Sequence, residues 1–427
     1  MDEKINVWIM NHYATQMMKD KAGRHYWFAK NLKQRGYDVS VFCAATFLKD
    51  KNKVDLGGEK FNVIDVESIP FVVVDTFKYS GNGLGRVINM AGFALNLFPV
   101  TKKYASLAGK PDVIIASSVH PLTMVSGIKI AKKFGIPCIC EIRDLWPEAI
   151  FMYGKAKEKS LLGKLLIAGE HWIYRHSDRL IFTKEGDTDY LRERGWTTEQ
   201  GGDINLEKCH YINNGIDLES YEEKIRTEQI EDRDLQDEGR FNVVYAGAIR
   251  PINQVGTILD CAKIIQTKKG YENVQFLIYG DGSELEKLKK RTITEQIYNV
   301  KIKGFVERRF IPYILSKSSV NLLNYTQSGY NWTRGNSSNK LFEYMASGKP
   351  IISTVHMGYS VINRYGCGEE LDRCTPDELA NAVIKFHDMD REEAESYGKN
   401  AKVGAKDFDF TILTDKLEKV VKEVIYK

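Results

Sequence analysis

Asn336-Ser-Ser-Asn-Lys-Leu-Phe-Glu-Tyr-Met-Ala-Ser-Gly-Lys-Pro350 reads as a polar loop that turns directly into a short helix, carries Glu343, and stops at Gly348 and Pro350. Ile351-Ile-Ser353 behind it reads as a buried strand. A helix start preceded by small polar residues exposes free backbone N–H groups and the positive end of the helix dipole. Such a start binds phosphate. Glu343 falls within the first turns, where a carboxylate accepts two hydroxyls of a ribose attached to that phosphate. The combined expectation is a nucleotide diphosphate held at one edge of an α/β domain. The plainer alternative is an ordinary N-capped helix, with Ser338 or Asn339 as cap.

Working outward, three strand–Gly–turn junctions share one pattern. Tyr245-Ala-Gly-Ala-Ile-Arg250 is a strand that ends in a Gly turn with a cation at its tip. Loops at strand C-termini of an open α/β sheet face the ligand, which makes Gly247 and Arg250 candidates for a diphosphate. Tyr279-Gly-Asp-Gly-Ser283 offers Gly280 and Asp281 at a second junction. Gly304-Phe-Val306 offers Val306 as a wall of a base pocket.

The first half alternates in the same way. Val39–Phe42, Val113–Ala116, Cys138–Ile142 and Arg179–Phe182 read as strands; Arg24–Gly36, Thr123–Gly135 and Leu161–His176 read as helices. This is βαβ alternation and predicts a parallel, doubly wound sheet. Ser117-Ser-Val-His120 closes one strand, so His120 is expected at the ligand edge, although a lone His is more often structural. Glu141-Ile-Arg-Asp-Leu-Trp-Pro-Glu148 places Arg143, Asp144 and Glu148 at the next strand tip. Those charges suit a hydroxylated, phosphorylated acceptor; the alternative is a salt-bridged turn.

The composition bounds the rest. A length of 427 residues implies two domains, and 43% hydrophobic content is ordinary for a globular chain. A net charge of +4 is too weak a basic bias for a nucleic-acid protein. Seven scattered Cys without metal spacing point to a reducing compartment. Cys138 and Cys140 share one strand-like run and are expected on opposite faces. The run Ile5–Met10 begins a strand at once, so no secretion signal is expected.

Ile88–Val100 is apolar nearly all round, with Asn89, Gly92 and Asn96 as its polar stripe and Arg86, Lys102 and Lys103 at its ends. It is too short to span a bilayer, which takes about 20 residues. It is either a core helix or an interfacial one in which Phe93, Leu97 and Phe98 enter the membrane. Lys155, Lys157, Lys159, Lys164, Arg175 and Arg179 make the segment after the acidic tip basic, either as a solvated helix or as one lying on anionic lipid.

In order and spacing, the three junctions and Asn339-Lys-Leu-Phe-Glu-Tyr-Met-Ala-Ser-Gly-Lys-Pro350 resemble the donor domain of retaining glycosyltransferases of the GT-B fold, family four. Arg143-Asp-Leu-Trp-Pro-Glu148 is similar to the bacterial branch that builds O-antigen and capsule, fucosamine transferases included. The resemblance covers essentially the whole chain. With that resemblance the chain reads as an N-terminal acceptor domain over 1–218, a linker over 219–240 that its acidic, apolar-poor composition marks as a surface connection, a nucleotide-sugar domain over 241–400, and a cleft between the domains. A C-terminal helix over 401–427 is the candidate to pack back on the first domain.

The resemblance also assigns residues. Glu343 binds the ribose, the backbone of Ser338, Asn339, Lys340 and Leu341 holds the diphosphate, and Arg250 and Lys340 offset its charge. His120 lies beside the transferred sugar; Asp144, at the neighbouring charged strand tip, is read as a second catalytic residue that orients the attacking hydroxyl. Asn11, His12 and Arg24, after the first strand, join Arg143 and Glu148 as acceptor contacts. One departure stands out: most of the family has a Glu that contacts the donor sugar where this chain has Gly335.

The function implied is hexosyl- or N-acetylhexosaminyl-type transfer without a metal. The donor is a UDP-sugar and the acceptor a polyprenyl-diphosphate-linked sugar or other glycan. The place is cytoplasmic, peripheral at the inner leaflet of the plasma membrane. Asp-x-Asp strings at Asp187, Asp232, Asp388 and Asp407 fall in charged helices or the linker and are discounted as metal sites. Two alternatives remain: a sugar-nucleotide epimerase of the same fold, and a non-catalytic nucleotide-sugar-binding subunit. A dehydrogenase is disfavoured because no Gly-x-Gly-x-x-Gly follows a strand.

Overall fold

Short runs rich in Val, Ile and aromatic residues form fourteen strands among the described residues, and helices buried on one face cover them. The computed structural model describes residues 4–426 apart from 48–52, 80, 82, 119, 153, 155 and 328–331, so Lys155 lies outside the described residues. The chain divides into one unit of Met1–Asn213 with Phe410–Lys427, and a second of Asn214–Asp409. Each is a Rossmann-like α/β domain.

In the first unit the strands are β1 (Asn6–Met10), β2 (Asp38–Ala44), β3 (Phe61–Val66), β4 (Ile69–Val74), β5 (Val113–Ser117), β6 (Cys138–Ile142), β7 (Arg179–Phe182) and β8 (Cys209–Tyr211). Their order is β3-β4-β2-β1-β5-β6-β7-β8. Strand alternation feeds two cores, with Val7 and Ile9 on one face and Trp8 and Met10 on the other. A sheet covered on both faces is the setting that parallel strands require. Cys138 and Cys140 share the second of those faces, because strand side chains repeat every second residue.

The sheet is not wholly parallel: β3 runs antiparallel to β4. The turn between them holds Glu67 at φ 52° and Ser68 at φ 66°. Neither residue announces a tight hairpin, which usually shows Asn-Gly or Asp-Gly.

The second unit carries β9 (Phe241–Ala246), β10 (Val274–Tyr279), β11 (Val300–Gly304), β12 (Val320–Leu323), β13 (Ile351–Ser353) and β14 (Gly368–Glu370). Their order is β11-β10-β9-β12-β13-β14 and every pair is parallel.

Three sequence expectations change. The acidic stretch 219–240 is part of the second unit: Tyr221, in helix Leu218–Thr227, and Leu235 are buried in its core. Two of its carboxylates are structural, since Asp232 and Asp234 each accept from Lys303 Nζ at 2.6 Å. The segment 401–427 is cut in two. Helix Arg391–Asp407 buries Ala401 and Ala405 in the second unit, whereas helix Phe410–Ile425 belongs to the first and packs on helix Arg24–Gln34.

The third change concerns Ile88–Val100. It lies within helix Leu84–Ala108, and Phe93 and Leu97 are both 0% exposed in the core. Asn89 is buried as well, with its amide donating to Thr46 Oγ1 at 3.1 Å and to the Phe77 carbonyl at 2.5 Å. The face expected to enter a membrane is the face that packs on the sheet. Among the described residues no helix is long and apolar enough to cross a membrane.

Candidate active site

In the second unit the junctions predicted from sequence meet around one helix start. A Cβ at Gly280, which has φ 150°, would lie 1.8 Å from the Gly247 carbonyl oxygen. Only glycine lets the two loops press backbone to backbone there. A Cβ at Gly247 would lie 2.9 Å from Lys340 Cδ, so Lys340 lies directly over that loop. Its ammonium stands 4.8 Å from the centre of the Tyr245 ring and 4.3 Å from that of Tyr325, and donates to Tyr245 Oη at 3.3 Å. Aromatic faces attract a cation by their quadrupole and fix its place.

Lys340 opens helix Asn339–Ala346, whose N-cap is Ser338. The Ser338 N–H donates to Asn336 Oδ1 at 2.7 Å, which shapes the loop. No side chain caps the helix, which leaves the N–H groups of Asn339 and Lys340 to an anion, while that of Leu341 donates to the Ser338 carbonyl at 3.2 Å. Asn339 is exposed at this start, whereas Leu341 is fully buried and offers only its backbone. Glu343 accepts from Arg308 Nη2 at 3.1 Å, and its carbonyl accepts from the Tyr221 hydroxyl at 2.9 Å. Val306 is half-buried against the core. Arg250 is exposed at the start of the turn Pro251–Asn253. Asp281 is exposed and accepts the Gly282 N–H at 2.7 Å.

The first unit gathers a second set. His12 and His120 are 0% and 1% exposed, and their rings meet edge to face at 4.9 Å. Burial drives the His120 imidazole down to about 2, with His12 and Arg86 adding to it. Burial likewise lowers His12 to about 3, against the Asn89 amide, which favours the charged form. Both rings are therefore neutral at pH 7. His120 Nε2 lies 3.4 Å from Thr123 Oγ1, and its Nδ1 has no hydrogen-bond partner among the described residues. Arg143 is half-buried at the tip of β6, where its N–H donates to Ser118 Oγ at 2.9 Å. Asp144 beside it is exposed, and Glu148 lies in the first turn of helix Trp146–Met152, where a carboxylate suits the dipole.

Arg24 and Asn11 have other work. The Arg24 guanidinium is 2% exposed and donates to Glu141 Oε1 at 2.6 Å, to the Ile212 carbonyl at 2.9 Å and to the Asn213 carbonyl. His25 Nε2 and Ser117 Oγ complete the shell of Glu141 at 2.8 and 2.7 Å. Burial alone would raise the Glu141 carboxyl, but Arg24 and His25 overcome it and hold it well below the usual range. The Asn11 amide is paired with His25 Nδ1 at 2.7 Å and accepts the Tyr13 N–H at 2.9 Å. Both expected acceptor contacts are thus bound inside a buried network that ties β1, β5 and β6 to the end of β8. A long side chain near a ligand loop reads the same in sequence whether it points in or out, so Arg24 carried no signal of its burial. Arg308, Tyr245 and Tyr325 were missed for the opposite reason. Each lies far in sequence from the residue it touches.

Among the described residues no three His, Cys, Asp or Glu side chains gather to hold a metal ion.

Residues 24–200 match the glycosyl transferase 4-like domain, and residues 226–403 match glycosyl transferases group 1. No curated protein matches the sequence. Similar solved structures include HepE from Anabaena in complex with UDP, at 15% identity and a TM-score of 0.65, covering 99% of this chain and 100% of that one. WaaG, a glycosyltransferase involved in lipopolysaccharide biosynthesis, is similar at 13% identity and 0.58, covering 98% and 99%. The trehalose 6-phosphate synthase of Burkholderia multivorans is similar at 12% identity and 0.70, covering 99% of each chain. At these identities the likeness is one of fold.

Proposed function

We propose, on the premise that this chain is a glycosyltransferase of the GT-B type built from those two domains, that it moves a sugar from a UDP-sugar to a lipid-linked acceptor with retention. The observation that carries the reading is the cradle of Gly247, Gly280, Lys340 and the uncapped start of helix Asn339–Ala346, with Glu343 one turn in. The loop backbone and the helix start hold the diphosphate, and Lys340 balances its charge as the leaving group departs. Glu343 accepts the ribose hydroxyls. Arg250 and Asp281, both exposed at the same strand edge, serve the phosphates and the sugar, and Val306 borders the base.

His120 and Asp144 serve the sugar and the acceptor. Because His120 is neutral, it acts as a hydrogen-bond partner to a sugar hydroxyl and not as an acid. The bond from the anomeric carbon to the diphosphate oxygen breaks, and the acceptor oxygen forms its bond on the same face. The acceptor's proton goes to the departing diphosphate oxygen, so no protein nucleophile is required. Arg143 and Glu148 bind the acceptor, a polyprenyl-diphosphate-linked sugar of surface polysaccharide synthesis. The enzyme works peripherally at the inner face of the plasma membrane and needs no metal.

Incubation with UDP-sugars alone, and then with a lipid-linked acceptor, tests the reading. Transfer that appears only with acceptor supports it. Epimerised sugar without acceptor, or binding without turnover, replaces it. EDTA should leave turnover intact; loss restored by magnesium or manganese removes the metal-free step.

A further inference from the structure

Three helices lie side by side on one face of the first sheet: Leu84–Ala108 beside Pro121–Phe134, and that helix beside Leu161–His176. Phe93, Met124 and Ile173 carry them into one core. All three begin at the edge where the parallel strands end. Helix Pro121–Phe134 starts directly after His120, just past β5. At the start of helix Leu84–Ala108, Arg86 Nε donates at 2.8 Å to the hydroxyl of Tyr13, which follows β1. Only Ser177 and Asp178 separate the end of helix Leu161–His176 from the start of β7, so the helix itself begins at the opposite edge. That edge carries His120, Arg143 and Asp144.

Leu95 and Leu107 apart, the large apolar residues that these helices leave exposed gather at the three starts. They are Leu84, Val87 and Ile88 on the first helix, Leu122 on the second, and Leu161, Leu162 and Leu165 on the third. Leu84, Leu161 and Leu165 are 74%, 85% and 69% exposed. Exposed apolar side chains gathered on one edge mark a contact with protein or membrane.

Charge selects between the two. Helices Leu84–Ala108 and Pro121–Phe134 contain no Asp or Glu. The one carboxylate of helix Leu161–His176, Glu170, is buried and accepts from the hydroxyls of Tyr174 at 2.8 Å and Tyr190 at 2.5 Å. The exposed formal charges of all three helices are therefore positive. Lys157 and Lys159 join Lys164 at the third start, because the Ser160 hydroxyl and N–H fold the intervening turn by donating to the Lys157 carbonyl at 2.6 and 3.0 Å. Glu158, between the two lysines, is paired with Arg194. Asp144 and Glu148 share the edge and are assigned to the acceptor above. Leucines set among cations match an anionic bilayer. A second copy of the chain fits less well, since a twofold contact would bring the lysines of both copies together.

We propose that the starts of these three helices form the face that lies on an anionic lipid bilayer, with the leucines in the headgroup–acyl boundary and the lysines on lipid phosphates. The inference rests on the peripheral placement proposed above and adds which surface of the chain makes the contact. It turns the edge that carries His120 and Asp144 toward the leaflet.

The full chain, co-sedimented with vesicles of phosphatidylcholine alone or mixed with phosphatidylglycerol, tests it. The parent should bind the mixed vesicles, and less as salt rises. Leu161→Ser with Leu165→Ser, and Leu84→Ser with Val87→Ser, should each weaken that binding by about tenfold or more. Lys157→Glu with Lys159→Glu should weaken it on mixed vesicles and change nothing on phosphatidylcholine alone. Leu107→Ser removes an equally exposed leucine at the far end of helix Leu84–Ala108 and should bind as the parent does. All these positions are exposed, so melting temperature and UDP affinity should stay unchanged.

Parent-like vesicle binding in both leucine pairs overturns the face and leaves the peripheral placement standing. A loss in Leu107→Ser as large as theirs overturns it as well, because the starts are then not special. A parent that sediments as a dimer, with monomeric leucine variants, makes this an interface between copies and overturns it. A parent that ignores phosphatidylglycerol vesicles removes the face and the placement together. Transfer to the lipid-linked acceptor in detergent, where no bilayer is present, then shows whether the glycosyl transfer itself still stands.

Discussion

Arg308 Nη2 donates to Glu343 Oε1 at 3.1 Å, so the carboxylate proposed for the ribose is already partnered by a cation. The two sides are unequal. The Arg308 side chain is 56% exposed and that of Glu343 only 16%. An exposed ion pair is worth at most about 1 kcal/mol, whereas a charged acceptor lost from a bound hydroxyl costs about 1.5–3 kcal/mol. Glu343→Gln should therefore weaken UDP binding by more than about tenfold in calorimetry. Arg308→Ala should change it by less than about fivefold. Equal losses in the two variants would mean that the ion pair, and not the nucleotide, is what Glu343 serves.

Lys340 gives a sharper test because its position depends on a neighbour without a side chain. Lys340→Ala should lower turnover and weaken UDP binding. Gly247→Ala places a methyl 2.9 Å from Lys340 Cδ and 3.0 Å from its Nζ, too close for both to stay. The far end of a lysine moves easily, so the fold should survive while the ammonium leaves the Tyr245 and Tyr325 rings. Gly247→Ala is thus expected to reproduce most of the Lys340→Ala loss, with an unchanged melting temperature. Arg250→Ala belongs in the same series, and parent-like UDP binding in all three variants would place the diphosphate elsewhere.

The meeting of the glycine junctions with the helix start was legible because its parts are backbone features. Glycines at strand ends and a polar loop before a helix leave a sequence mark where they act. The β3–β4 hairpin left none, since its turn uses Glu67 and Ser68 in left-handed conformations that those residues rarely adopt. The acidic stretch misled for a related reason. Charge density suggested a linker, while Tyr221 and Leu235 are buried in the core and Ile225 and Ile230 pack against it. Arg24 and Asn11 show the limit most clearly. Arg24 pairs with Glu141, more than a hundred residues away, and Asn11 joins that carboxylate only through His25; the sheet order alone brings β6 beside β5, whose Ser117 shares it.

His120→Ala and Asp144→Asn should keep UDP binding and lose transfer, a fall in turnover without a change in donor affinity. His120 is held neutral with its pKa near 2. Protonation of its ring therefore contributes no inflection to the rate between pH 6 and 8. A bell-shaped profile in that range that vanishes in His120→Asn would show that the ring works as an acid or base after all.

Phe93 and Leu97 decide what helix Leu84–Ala108 does. Both are fully buried on the sheet, beside Ala94 and Val100. Removing a buried large side chain costs about 2–5 kcal/mol. Phe93→Ser and Leu97→Ser should each cost at least that much in urea unfolding. Leu95→Ser, at a position 68% exposed on the same helix, should cost under about 0.5 kcal/mol. Small effects at all three positions would return the helix to the surface.

Glu170 ties stability to pH in a direction that can be worked out. Burial raises its carboxyl from 4.5 to about 7, against the hydroxyls of Tyr190 and Tyr174, which favour the charged form. The folded pKa lies above the unfolded one, so the folded state binds more protons between the two values. The stabilisation is then complete below about pH 4.5 and is lost as pH rises through 7. Over two to three units, at about 1.4 kcal/mol each, the swing reaches about 3 kcal/mol. Glu170→Gln keeps the shape of the side chain and removes the titration. Urea unfolding of parent and variant at pH 5 and pH 8 isolates this one group, because every other titration is common to both. The parent should gain about 3 kcal/mol relative to Glu170→Gln on going from pH 8 to pH 5. A difference that stays flat means the carboxyl is ionised in the folded protein, and a difference of the opposite sign means that the tyrosine hydroxyls outweigh its burial.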